Sequence, residues 1–192
     1  MQKKEAIKKD KSDKVIVIAI IVAAVLVLTF GTLLILERTG VIYPDVTEKG
    51  EITAPKVEYD TPRSEGAFDY MILEDGTAMI VGWDSGDAEA VDLVTPTELG
   101  GYKITAIAGR VFAMHSEIKS ITFSDGITYI GEEALYGALC TVSLPASLEA
   151  IDDGAFAGVA SEGIIFRGTR AQWATVRIGK NNPAVLKVNY LE

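Results

Sequence analysis

The chain has 192 residues, with 18 Lys plus Arg against 27 Asp plus Glu, a formal charge of −9 at pH 7 and a pI near 4.7. That length holds one modest domain with flanking segments, and the acidic balance argues against a nucleic-acid partner. One cysteine and one histidine, Cys140 and His115, exclude an intramolecular disulfide, a multi-cysteine zinc site and a His-rich metal centre.

Residues 1–14 carry six lysines and three acids, a net +3. They read as a basic cytoplasmic tail. Residues 15–36 carry no charge at all. At 1.5 Å per residue they span about 33 Å, enough to cross a bilayer core. The run is longer than a signal-peptide apolar region, and the Glu37-Arg38-Thr39-Gly40 stretch after it has no small-x-small cleavage site. An uncleaved transmembrane signal anchor is therefore expected. Lysines before the span and mixed charge after it put the N-terminus in the cytoplasm and the remainder outside, a single-pass topology in the cell membrane. Residues 37–66 hold Pro44, Pro55 and Pro62 among alternating charges and read as an extended, solvated linker.

Residues 67–192 are expected to form the ectodomain. Two strand-like runs, 68–73 and 77–83, flank Asp75-Gly76, a hairpin signal because such turns need positive φ. A repeat follows. Ile104 and Ile107, Ile127 and Ile130, and Leu148 and Ile151 form three matched pairs spaced by 23 and then 21 residues. The same offsets relate Phe112, Leu135 and Phe156. Between them lie short alternating strands around Ile118, Ile121 and Phe123, then Val142 and Leu144, and finally Ile164 and Phe166. This period lies in the leucine-rich-repeat range, where no repeat buries its apolar side alone and stacking supplies the core. The predicted core is Ile107, Phe112, Ile121, Phe123, Ile130, Leu135, Val142, Leu144, Ile151, Phe156 and Phe166.

The stretches ITAIAGRVFAMHSEIKSITFSDG, ITYIGEEALYGALCTVSLPAS and LEAIDDGAFAGV closely resemble the BspA-type leucine-rich repeats of bacterial surface proteins. The lead-in FDYMILEDGTAMIVGW and the ending IIFRGTRAQWATVRIGKNNPAVLKVNY resemble that family's caps. The resemblance covers about residues 68–190. It implies a β-rich right-handed solenoid of about three repeats with caps over 68–103 and 164–192. It also implies display on the cell surface for binding or adhesion rather than chemistry. The middle repeat departs from the pattern, with Leu135 in the Phe position.

Two function classes follow: a membrane-anchored surface module recognising a protein or glycan, and a structural envelope protein assembling laterally with itself or a membrane partner. No phosphate loop, nucleophile elbow or metalloprotease helix occurs, so no catalytic residue, cofactor or metal ligand is expected. Cys140 reads as a packing residue and His115 as a turn residue. The acid pairs Glu132-Glu133 and Asp152-Asp153 read as solvated turn positions sharing one place in the repeat. Alternation turns Ser120, Thr122, Thr141 and Ser143 outward as a candidate ligand face. Ala106, Tyr129 and Ala150 face out on the other strands, with Tyr129 either a sugar platform or a cover for its turn. Charge is split: residues 67–166 hold sixteen acids and three bases, whereas Arg167, Arg170, Arg177, Lys180 and Lys187 face only Glu192 in the last segment. That basic cap is the expected contact for an anionic polymer or a neighbouring copy.

Overall fold

The chain divides into two compact units, Met1–Pro44 and Asp45–Glu192. The computed structural model describes residues 50–58, 61–159 and 163–190, all within the second unit. The basic tail, the apolar span and linker residues 37–49 lie outside the described residues. Among the described residues no helix is long and apolar enough to cross a membrane.

The domain opens with a β-meander. β1 (Arg63–Glu65) pairs antiparallel with β2 (Phe68–Ile72), which pairs antiparallel with β3 (Ala78–Trp83). The β2–β3 connection is the Asp75-Gly76 turn. Gly76 has φ +79°, and Asp75 Oδ1 accepts the Thr77 amide at 2.9 Å and its hydroxyl at 2.7 Å. These bonds hold the Asp75 carboxyl below its ordinary pKa.

From β3 onward the chain coils. The remaining strands are β4 (Val91–Val94), β5 (Glu98–Leu99), β6 (Tyr102–Ile107), β7 (Ile118–Thr122), β8 (Tyr129–Ile130), β9 (Thr141–Leu144), β10 (Ala150–Ile151), β11 (Ile164–Phe166), β12 (Arg177–Ile178) and β13 (Asn189–Tyr190). Strands β3, β6, β8, β10 and β12 form one parallel series; β4, β7, β9, β11 and β13 form the other. The solenoid therefore has about five turns, two more than the sequence pattern predicts. The extra turns lie inside the segments assigned to caps: β3 with β4 is the first, β12 with β13 the fifth. Their anchors escape the pattern because inserted elements stretch the period. The β5–β6 hairpin, turning at Gly100 and Gly101, lengthens the first turn. Helix α1 (Arg170–Trp173), started by a Thr169–Gln172 capping box, lengthens the fourth. The registers Ala106–Tyr129, Tyr129–Ala150 and Ala150–Arg177 accordingly advance the chain by 23, 21 and 27 residues.

All eleven predicted core residues are at most 1% exposed. Phenylalanines fill the interior, and Phe112 stacks between Trp83 and Phe123 with centroid distances of 6.1 Å on each side. The long turns stack through their backbones. Phe112 N donates to Ala134 O and Leu135 N to Ala155 O, at 2.9 and 2.8 Å. At the next step a side chain takes over: Phe156 N donates to Asn182 Oδ1 at 2.9 Å. Asn182 Nδ2 donates in turn to the carbonyls of Asp152, Gly179 and Lys180 at 2.8–3.1 Å. One buried amide thus ends the ladder and satisfies its last groups.

Register also corrects the alignment of the acid pairs. Tyr129 opposite Ala150 sets Glu132 beside Asp153 and Glu133 beside Gly154, so the pairs are offset by one residue. The cause is conformational. Arg110, Glu133, Gly154 and Asn181 occupy one place in successive turns, all with φ between +54° and +64°. That place needs the left-handed backbone, which glycine adopts without strain.

Candidate functional site

Each sheet has an outward face, and the two differ in chemistry. On the second sheet, register aligns Asp92, Ser120 and Thr141 in one row and Val94, Thr122, Ser143 and Ile165 in the next. The four hydroxyl residues singled out from sequence are therefore brought together. Ser120 Oγ donates to Asp92 Oδ1 at 2.6 Å. Arg167 closes the far end of the rows, with Nη1 on Ser143 Oγ at 2.9 Å and Nη2 on Phe123 O at 2.7 Å and Asp125 Oδ1 at 2.8 Å. Its guanidinium reaches across two turns of the solenoid. Val94, 62% exposed, extends the face by one apolar residue.

The first sheet's outward row is Met79, Ala106, Tyr129, Ala150 and Arg177. These positions are expected to meet solvent, yet Ala106 and Ala150 are 0% and 2% exposed and Tyr129 only 6%. Residues 50–58, read from sequence as solvated linker, cover them. Ile52 and Val57 pack against Leu73, Ala106, Tyr129 and Ala150. Val57 bridges antiparallel to Leu73; Glu58 N donates to Ile72 O and Glu74 N to Lys56 O. The linker's described part thus joins the folded domain, and β1 extends it further. Tyr129 presents no open platform. Its hydroxyl donates to Asp152 Oδ2 at 2.7 Å, and burial first, then that carboxylate, raises its pKa.

The five basic residues of the last segment do not form one patch. Arg167 lies on the second sheet's face and Arg177 on the first's, where Nη1 contacts Glu51 O at 3.4 Å. Arg170 stacks over Tyr190, 5.4 Å from the ring centre. The backbone amide of Lys180 donates to Asp153 Oδ1 at 2.6 Å; the Lys180 and Lys187 residues are exposed.

His115 and Glu117 do form a pair, with Nδ1 to Oε1 at 2.6 Å and the imidazole edge-on to Trp83 at 5.0 Å. The His115 hydrogen bond is the main cause that lowers the Glu117 carboxyl from 4.5 to about 2. Cys140 is buried, which pushes its thiol up to about 11 and keeps it protonated. Among the described residues no three His, Cys, Asp or Glu side chains group as a metal site.

Residues 102–172 match the family model described as "BspA type Leucine rich repeat region (6 copies)". Over those residues the chain is similar to BspA-type leucine-rich repeats. The repeat accounts for the second to fourth turns and α1. Among solved structures, a leucine-rich repeat protein from Bacteroides capillosus shares 21% identity, with 69% of this chain covering 100% of that one at a TM-score of 0.51. That likeness shows the fold. The T. pallidum leucine-rich repeat protein (19% identity, TM-score 0.44) and a leucine-rich cell surface protein of Faecalibacterium prausnitzii (16%, 0.46) are also similar. They align over 55% and 64% of this chain, which spans 53% and 43% of their lengths. No curated protein matches the chain.

Proposed function

We propose that the protein is a single-pass surface module, anchored by residues 15–36, that holds a BspA-type solenoid outside the cytoplasmic membrane to bind a protein or glycan. The observation that carries this reading is the second sheet's outward face, where the solenoid repeats hydroxyls at fixed spacing without burying them. Parallel strands lie about 4.8 Å apart, so such a face offers a regular lattice of donors and acceptors. The uncharged 22-residue run and the six lysines before it support anchorage and orientation. Exposed Lys180 and Lys187 add an electrostatic contribution toward an anionic polymer. The test is capture from envelope extract with the full chain. Thr122→Lys together with Thr141→Lys should abolish retention of a specific partner, and unchanged retention would refute this face.

One observation favours lateral assembly as a second reading. Met114, Tyr136 and Leu139 are 70%, 47% and 79% exposed on the long turns of adjacent repeats. Sedimentation of the full chain in detergent over a hundredfold concentration range distinguishes the readings. Assembly that Leu139→Lys abolishes supports the second; a concentration-independent monomer supports the first.

A further inference from the structure

The segment over the first sheet sits where the rest of the solenoid would lead one to expect solvent. Outward positions of the second sheet are an acid and four hydroxyls with Val94 and Ile165 at the row ends; those of the first are a methionine, two alanines and a tyrosine before Arg177. Ala106 and Ala150 flank Tyr129 in this row, and Ile52 and Val57 pack against the cluster these three form with Leu73. A face of this composition is built to be covered.

The geometry of the cover is that of an extended peptide. Its Glu51 end lies at Arg177 on the fifth turn, and its Val57 end pairs with Leu73 beside the first. Four spacings separate β12 from β3 and a fifth leads to β2, about 24 Å in all. Six extended residues reach about 20 Å, and the Arg177 side chain spans part of the remainder, so the segment crosses the sheet nearly fully extended. Ile52, Pro55 and Val57 are half-buried while Glu51, Thr53, Ala54, Lys56 and Glu58 are exposed. Pro55, midway, has no N–H to satisfy. Among the described residues, the hydrogen bonds that hold the segment lie at its ends: a 3.4 Å contact from Arg177, and main-chain bonds of 2.8 and 3.0 Å around Ile72–Glu74. Few bonds and two aliphatic side chains place it among the elements that open before the core does.

We propose that the outward face of the first sheet is a receptor groove for an extended peptide with two aliphatic side chains five residues apart, and that residues 50–58 fill it as a displaceable strap. The inference rests on the reading of the domain as a binding module and names the class of partner: a protein segment presenting an unpaired strand. The Ile72–Glu74 edge supplies backbone pairing, the Ala106–Tyr129–Ala150 row takes the aliphatic side chains, and Arg177 donates to a carbonyl oxygen at the far end.

The test uses the full chain in detergent and a fluorescein-labelled synthetic peptide of residues 50–58. In a chain carrying Ile52→Asp and Val57→Asp, anisotropy should report peptide binding at least tenfold tighter than in the unaltered chain. A peptide bearing the same two aspartates should not bind. A variant that keeps its far-ultraviolet circular dichroism and thermal transition but shows no gain in peptide binding overturns the groove. Should the variant lose its fold, hydrogen exchange on the unaltered chain decides: saturating peptide should accelerate exchange at Glu58, and unchanged exchange there overturns the proposal. Envelope partners captured equally by both chains would leave the binding module standing and the groove refuted.

Discussion

Replacing Asn182 by Ala should be among the most damaging single changes outside the aromatic core. Its side chain is 6% exposed and satisfies four main-chain groups: the Phe156 amide and the carbonyls of Asp152, Gly179 and Lys180. Alanine leaves the Phe156 amide without its acceptor and takes one donor from each carbonyl, of which Asp152 O and Lys180 O keep the amides of Ala155 and Gly154. An amide left unpaired in the interior costs about 1–3 kcal/mol, and the carbonyls lose about 1 kcal/mol more where water does not replace the donor. A loss of about 3 kcal/mol is expected, measured by urea unfolding of residues 45–192. Asn181 is the control. It is exposed with φ +59°, so Asn181→Gly should change stability by less than about 0.5 kcal/mol. A loss below 0.5 kcal/mol for Asn182→Ala would refute the view that one amide closes the ladder.

Phe156→Ala should cost about 3–5 kcal/mol in the same assay, since its ring is fully buried. The carboxyl of Glu117, titrated by NMR, should show a pKa of about 2 and return toward 4.5 in His115→Ala. Because its folded value lies below the ordinary one, the pair's contribution to stability is fully present above pH 4.5 and is lost as pH falls toward 2. His115→Ala should flatten that part of the stability–pH profile.

The middle of the solenoid was legible because stacking imposes one period on several residue types at once. Ile107, Ile130 and Ile151, and Phe112, Leu135 and Phe156, recur at the same 23- and 21-residue offsets, and each is buried. The outer turns were not legible because the β5–β6 hairpin and α1 break that spacing while leaving the strands in register. The hydroxyl rows followed from alternation along β7 and β9. The fate of Ala106, Tyr129 and Ala150 did not, because their cover is a non-repeating segment whose aliphatic residues, Ile52 and Val57, stand among prolines and charges. Asn182 carried no sequence signal either: its role comes from aligning with Ala134 and Ala155, where the main chain does the same work.

The central claim is that the solenoid stands outside the membrane on an intact N-terminal anchor. Epitope tags at both ends and protease added to intact spheroplasts test it directly. The account predicts that the C-terminal tag is lost while the lysine-rich N-terminal tag stays protected on a membrane-bound fragment. A protected C-terminal tag, or a mature chain beginning near Thr39, would contradict it.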